Sequence, residues 1–192
     1  CQTPALKIDG EPELEEFGLP ECKTVRDKAP DKTGKNRGTG IIKDEEISLH
    51  NMIFMIDCIG GYIIQNEVPF CELDSHAGDG DFGMSVAKGF RALEREWEEV
   101  IAESDDIASF LSACSQIIME NCGGASGPIW GSAFRVASKA AEGKKTLNAA
   151  DMAEVLAKAV QGIQATGERS FGRGAVPGDK TLIDALVPCA DT

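Results

Sequence analysis

Apolar residues recur with a helical period through most of the chain after residue 44. Between residues 44 and 66 they cover nearly every side of a helix, which is typical of a central, buried helix. From about Gly83 to Val100 they fall on one face, opposite Arg and Glu, as in an amphipathic helix. No convincing strand interrupts this pattern. Four more helices are predicted: one after Ser104-Asp105-Asp106 through Ile118, one from Pro128 through Val136, one from Asn148 through Ile163, and one from Asp179 or Lys180 through Val187.

Residues 1–44 have a different character, because they are rich in charge, Pro and Gly and show no sustained period. We expect them to form a linker or an extended arm, followed by one helical domain over residues 45–192. The chain begins at Cys1 rather than at a methionine. We therefore expect it to be part of a longer protein.

Charge and cysteine usage narrow the functional classes. The formal net charge is −13, which argues against nonspecific binding of nucleic acid. A phosphorylated ligand would have to be bridged by a metal ion or held by backbone dipoles. Seven cysteines without C-x-x-C spacing are typical of reduced, buried thiols in a cytoplasmic protein. No run approaches eighteen uninterrupted apolar residues, so no membrane span is predicted.

The segment LDSHAGDGDFG, residues 73–83, concentrates the candidate chemistry. It holds Asp74, Asp79 and Asp81 together with three glycines, between two predicted helices. Carboxylates this close together repel one another unless a cation lies between them. All-oxygen ligands favour a hard ion such as Mg²⁺, Ca²⁺ or Mn²⁺ over zinc. The segment is therefore a candidate site for a divalent metal.

Three other interpretations fit this segment less well. Gly78, Gly80 and Gly83 have the G-x-G-x-x-G spacing of a dinucleotide loop, but no strand precedes them and aspartates occupy the variable positions. A calcium-binding EF-hand that starts at Asp79 would need a ligand at Gly83 and a glutamate at Phe90. An acidic turn that caps the next helix explains any one aspartate, but not three aspartates together with the glycines.

Two further glycine-rich loops each precede a predicted helix. In residues 123–128, GGASGP, Ser126 and Pro128 are ordinary signals for a helix start. The same residues could form a nest of N–H groups that binds a phosphate, and the sequence does not decide between the two interpretations. The third loop, residues 167–181, is not a Walker A loop, because its spacing is wrong and Asp179 precedes the lysine.

Taken in order, LDSHAGDGDFG, GGASGPIWGSAF and GAVPGDKTLIDAL resemble the nucleotide-binding L domain of dihydroxyacetone kinases, over roughly residues 45–192. The resemblance implies an all-α fold, an antiparallel helical barrel or bundle. Its glycine-rich interhelical loops would form the nucleotide site at one end, with ATP or ADP and two Mg²⁺ ions.

The resemblance also implies roles for individual residues, but assigns no catalytic residue to this chain. Phe82 stands where the family usually has a histidine, so a polar contact to phosphate or metal is absent from that side chain. The implied metal ligands are Asp74, Asp79 and Asp81, and the implied nucleotide contacts are Phe82, Gly83, Met84, Ser85, Ala125, Ser126, Gly174 and Leu182.

The function implied is transfer of the γ-phosphate of ATP to a small ketose or aldose, such as dihydroxyacetone or glyceraldehyde, in the cytoplasm. The carbonyl substrate would be held by a histidine of a separate substrate domain, the K domain, for which residues 1–44 would be the tail and linker. The full-length protein is expected to be a homodimer. A segment with an arginine and an Asp-Pro-Gly turn, which closes over the nucleotide in the family, is not found before Thr192. The alternatives are a noncatalytic ADP-holding subunit of a phosphotransfer chain or regulator, and an FMN-cyclising lyase.

Overall fold

The structure is a computed structural model that describes residues 38–76, 78–171, 176–178 and 181–191. Within these ranges the chain forms helices and two isolated bridges, with no strand, and this confirms the predicted all-α fold. The helices are α1 (Leu49–Gln65), α2 (Glu67–Asp74), α3 (Phe82–Arg95), α4 (Trp97–Ala102), α5 (Ile107–Asn121), α6 (Ser126–Ala141), α7 (Ala149–Phe171) and α8 (Ile183–Asp191).

Polar side chains begin the helices where the sequence has cap residues. Ser48 precedes α1 and Asp106 precedes α5, and each forms a reciprocal capping box with the residue three positions on. At α5 the carboxylate of Asp106 accepts a hydrogen bond of 2.8 Å from the N–H of Ser109. Such caps satisfy N–H groups that have no partner inside the helix. These two starts are therefore encoded locally.

The helices form a bundle in which consecutive long helices pack side by side. α5 packs against α6 and α6 against α7, and short connections make these pairs antiparallel. Small residues allow this close approach: a Cβ on Gly131 would lie 2.6 Å from the Cβ of Met119. Buried serines join the helices, since Ser132 donates to the carbonyl of Gly162 on α7 at 3.1 Å.

α3 is central to the bundle, because it packs against α1, α2 and α5 and contacts α6. Its buried face meets an apolar core that includes an edge-to-face pair of Trp97 and Phe110, with ring centroids 5.8 Å apart. None of the helices in the described part of the chain combines the length and apolar character needed to cross a bilayer. The most deeply buried large side chains are Phe110, Ile53, Leu93, Ile107, Ile118, Leu147, Ile183, Val86 and Cys114.

Several helix boundaries differ from the predictions. α7 continues to Phe171, so residues 167–171 of the third predicted loop are helical, and α8 begins at Ile183 rather than at Asp179 or Lys180. The first helix begins at Leu49, because residues 43–46 form a turn in which Asp44 and Glu45 have positive φ angles. The stretch predicted as one helix to Val100 is two, α3 and α4, with a break at Glu96. A separate helix, α2, was not predicted. It contains Pro69 in its first turn, where a missing N–H costs no intrahelical bond.

Residues 38–42 pack along α1 just before the predicted domain boundary. The N–H of Thr39 donates to the carbonyl of His50, and a Cβ on Gly38 would lie 2.1 Å from that oxygen. The side chain of Asn51, only 3% exposed, donates to the carbonyls of Thr39 and Ile41 at 2.8 and 2.9 Å. This part of the chain is therefore fixed to the helices by backbone contacts.

The described cysteines are all free thiols. Cys114 is fully buried, and burial raises the pKa of the partly buried Cys122 thiol to about 11. Cys189 is exposed, so the expectation of buried thiols is wrong for that residue. Cys1 and Cys22 lie outside the described residues.

Candidate metal and nucleotide site

Three aspartates converge between the end of α2 and the start of α3. Asp74, Asp79 and Asp81 each offer a carboxylate oxygen, and these oxygens lie within 4.8 Å of one another. Asp79 and Asp81 are exposed, whereas Asp74 is half-buried. The spacing along the sequence thus becomes a cluster in space, as the metal-site hypothesis requires.

Asp74 has a second role, which the sequence did not predict. Its Oδ2 accepts hydrogen bonds from the N–H groups of Gly80, at 3.0 Å, and Phe82, at 3.2 Å. Gly80 has a φ of +77°, a conformation that a glycine adopts without strain. Asp74 therefore folds the loop back on itself and also joins the cluster.

The donor set suits a hard divalent cation. Three carboxylates supply oxygens alone, which are the ligands preferred by Mg²⁺, Ca²⁺ and Mn²⁺. The described part of the chain places no lysine or arginine in an ion pair with any of the three, so their mutual repulsion has no local counter-charge. Two carboxylates 4 Å apart repel by about 1 kcal/mol in bulk water and by more where water is displaced. A bound cation would remove this repulsion.

The first turn of α3 lies tightly against α2. A Cβ on Gly83 would fall 2.0 Å from the carbonyl oxygen of Glu67, so only glycine permits this approach. The N–H of Met84 donates to the Sγ of Cys71 at 3.3 Å, and that of Phe82 is taken by Asp74. At least two of the N–H groups expected to face a phosphate are thus engaged within the protein.

The loop before α6 touches α3 one turn further on. The N–H of Gly123 donates to the carbonyl of Ser85 at 3.1 Å, and the N–H of Ser85 donates to the carbonyl of Asp81 at 2.9 Å. A Cβ on Gly123 would lie 2.8 Å from the hydroxyl of Ser85, which is 8% exposed. The aspartate cluster and the second glycine-rich loop are therefore connected through a single turn of α3.

This second loop has the conformation of an anion nest. Gly124 has a φ of +50°, and Ala125 follows in the right-handed helical region at φ −72° and ψ −19°. Successive left- and right-handed residues direct their N–H groups into one concavity. None of the described residues accepts a hydrogen bond from the N–H groups of Gly124, Ala125 or Gly127. Gly124 and Ala125 are exposed, so their N–H groups are available to an anion, whereas Gly127 is buried.

Ser126 is not the cap of α6. The N-cap residue is Ala125, without a side-chain hydrogen bond, and Ser126 is the first residue of the helix. The interpretation of Ser126 as a conventional helix-start signal therefore has no capping bond to support it. Its N–H donates to the carbonyl of Gly123 at 3.1 Å.

The other predicted contacts are less well placed by the structure. Leu182 is half-buried and packs with Ile183 against α6 and α7, in a small cluster that includes Val160. Gly174 lies outside the described residues. His76 is exposed, and its Nδ1 lies 2.8 Å from the carbonyl oxygen of Glu72.

Comparison with known families gives a match to the DAK2 domain over residues 76–192. The chain belongs to the DAK2 domain family. Asp79, Asp81 and the loop from Gly123 to Gly127 fall inside the matched region, whereas Asp74 lies two residues before it.

Several relatives of this DAK2 chain carry functional names. One is the ADP-binding subunit DhaL of PEP-dependent dihydroxyacetone kinase 2 from Listeria innocua, 33% identical over 67% of this chain and 57% of its own length. The corresponding subunit of Escherichia coli K12 is 30% identical over 62% of this chain and 53% of its length. Human triokinase/FMN cyclase is 32% identical over 59% of this chain, but only 18% of its length. The chain spans just over half the length of the two bacterial subunits.

The contacts that the sequence did not reveal lie between helices. The Sγ of Cys71 accepts a hydrogen bond from the N–H of Met84, and the Sγ of Cys122 lies only 2.1 Å from the position that a Cβ on Gly89 would take. The glycines at 83 and 89 were the available signals, since a glycine inside a helix often marks a close approach. Their partners could not be named without the fold.

Proposed function

We propose that this DAK2 domain is the nucleotide-binding part of a dihydroxyacetone-type kinase, which transfers the γ-phosphate of ATP to a small ketose or aldose. The observation that supports this most strongly is the connection of a three-carboxylate cluster to an amide nest through one turn of α3. An acidic chain needs such a pairing to hold a polyphosphate, because the metal offsets charge and the amides supply donors.

Each part of the site has a distinct task in this proposal. Asp74, Asp79 and Asp81 would hold two Mg²⁺ ions, which supply positive charge to the phosphate oxygens when bound. The N–H groups around Ala125 and the hydroxyl of Ser126 would orient the phosphates. Phe82, Gly83, Met84 and Ser85 would line the same end, with Gly174 and Leu182 near the nucleoside.

The acceptor sugar would come from the K domain, either upstream in the same chain or as a separate subunit, within a cytoplasmic homodimer of the full-length protein. Phosphoryl transfer requires donor and acceptor to be held in line and near contact. No catalytic residue is assigned to this chain, so we expect the chain alone to bind nucleotide without phosphorylating dihydroxyacetone. Robust turnover by the chain alone would contradict this assignment.

A noncatalytic ADP-holding subunit is the second candidate. It is favoured by two bacterial relatives whose names describe ADP-binding subunits of PEP-dependent kinases. The two candidates differ in the phosphate donor. Adding a substrate domain with ATP as donor should restore turnover for the first, whereas the second requires a phosphorylated carrier protein and retains its ADP through many turnovers.

Metal dependence of nucleotide binding tests the site common to both candidates. Titration calorimetry with ADP or ATP should detect binding with Mg²⁺ and not in EDTA. The double substitution Asp79→Asn with Asp81→Asn should abolish binding, because neutral amides cannot offset two divalent charges. A matched control is Asp105→Asn, an exposed aspartate before α5. Equal affinity in EDTA would refute the metal bridge.

The substitution Ser126→Ala distinguishes a role of Ser126 in phosphate binding from a role in helix stability. Since Ser126 makes no capping bond, its loss should leave the melting temperature nearly unchanged and weaken nucleotide binding. Parallel melting and binding curves measure the two effects. A lower melting temperature with unchanged affinity would assign Ser126 to helix stability instead.

A further inference from the structure

Three aromatic rings, which we call the aromatic row, join three helices at the end of the bundle that carries the aspartates. They are Tyr62 on α1, Phe70 on α2 and Phe82 at the first position of α3. The ring centroids of Tyr62 and Phe70 are 6.0 Å apart, and those of Phe70 and Phe82 are 6.2 Å apart, with tilted planes. Pairs at such distances attract beyond simple burial.

Phe82 contacts α2 in two independent ways. Its ring packs on Phe70, and its N–H donates to the Oδ2 of Asp74, which lies four residues after Phe70 on the same helix. Gly80 donates to that same oxygen, whereas no described residue donates to the other carboxylate oxygen, Oδ1. One residue thus links the aromatic row to the orientation of a candidate metal ligand.

The side chain of Phe82 has no polar atom with which to contact a ligand directly. Its ring is half-buried against Phe70, and only its backbone N–H enters the aspartate loop. A displaced ring would allow the start of α3 to move from α2. Asp79 and Asp81 precede α3 while Asp74 ends α2, so this movement would change the distances among the three carboxylates.

We propose that Phe82 is a positioning residue for the metal site, because its ring fixes the start of α3 on α2. The Oδ2 of Asp74 then stays hydrogen-bonded to the backbone N–H groups of Gly80 and Phe82, and its Oδ1 stays available to a cation. This inference rests on the metal site of the proposed function. It assigns to Phe82 a contribution to metal affinity that requires no contact with the metal or the nucleotide.

The test compares Phe82→Leu with Phe82→Tyr and with Phe134→Leu. Phe134→Leu is the matched control, because it removes the same ring from a pair with Phe90, whose centroids are 6.5 Å apart, on the side of α3 that faces α6. Mn²⁺ binding is measured by calorimetry and by paramagnetic broadening, at a temperature where circular dichroism shows all variants folded. We expect Phe82→Leu to weaken Mn²⁺ binding at least tenfold, and Phe82→Tyr and Phe134→Leu to change it less than threefold.

A second variant and a second measurement distinguish the positioning role from a general loss of folding. Phe70→Leu removes the partner ring without altering residue 82, and it should weaken Mn²⁺ to a similar extent. Amide exchange of Gly80 and Phe82 without metal should accelerate in both leucine variants, because the hydrogen bonds to Asp74 are loosened.

The outcomes distinguish this inference from the proposed function. If the wild-type chain binds no Mn²⁺, the metal site itself is refuted. If the wild type binds and Phe82→Leu binds equally well, or Phe134→Leu is equally impaired, the positioning role is refuted while the site remains.

Discussion

Replacing Asn51 by alanine tests whether the segment before α1 is part of the folded domain. The side chain of Asn51 is 3% exposed and forms four hydrogen bonds. It donates to the carbonyls of Thr39 and Ile41, and its Oδ1 accepts from the N–H and hydroxyl of Ser48 at 2.9 and 2.6 Å. Asn51 therefore supports both the α1 cap and residues 38–42.

The expected loss of unfolding free energy follows from these four hydrogen bonds. A net contribution of about 1 kcal/mol per hydrogen bond gives an upper value near 4 kcal/mol. Ile41 is exposed, so its carbonyl can regain water, and this lowers the expectation to about 2–3 kcal/mol. For a domain of this size, such a loss lowers the melting temperature by roughly 4–12 °C.

Urea unfolding followed by circular dichroism measures this loss, and two deletions identify its source. Deleting residues 1–37 retains Thr39 and Ile41, so Asn51→Ala should cost the same there as in the whole chain. Deleting residues 1–42 removes both acceptors, and the cost should fall to about 1–2 kcal/mol. Asn66→Ala is the control, a buried amide that donates to the carbonyl of Tyr62. An equal cost in both deletions, or one below about 0.5 kcal/mol, would refute the reasoning.

Two further predictions concern carboxylates. In EDTA, Asp79→Ala should leave the melting temperature unchanged, or raise it by relieving the repulsion among the carboxylates. Asp74→Ala should instead destabilise the chain by about 1–2 kcal/mol, because two N–H groups lose their acceptor. Equal effects of the two substitutions in differential scanning calorimetry would contradict this. The N–H of Ser109, then its hydroxyl, lower the pKa of Asp106. Its stabilisation is thus fully present above the unfolded pKa of about 3.9 and is lost as the pH falls through the lower folded value. The difference in unfolding free energy between wild type and Asp106→Ala should be about 1 kcal/mol at neutral pH and shrink in acid.

The sequence predicted the long helices because their signals are local. Apolar periodicity and the caps at Asp106 and Asn148 lie within a few residues of the elements they define. α2 was missed because it has only eight residues and includes Pro69, a residue that usually ends a helix. Its stability comes from packing on α3, which no local pattern reports.

The aspartate cluster was predictable because its three members lie within eight residues and share one chemistry. What the spacing could not supply was the unequal roles of the three. The Oδ2 of Asp74 accepts hydrogen bonds from the N–H groups of Gly80 and Phe82, and this depends on how α3 begins relative to α2. Its role as a metal ligand, like those of Asp79 and Asp81, stays a prediction.

α3 connects the two halves of the candidate site through backbone contacts on opposite sides. Gly83 meets the carbonyl of Glu67 on α2, and the carbonyl of Ser85 accepts the N–H of Gly123 from the loop before α6. Both contacts need the absence of a side chain, either in the helix or in the loop. A shift of α3 by a few tenths of an ångström would move Asp79, Asp81 and the nest relative to Asp74 on α2. Metal binding and phosphate binding should therefore be mechanically coupled.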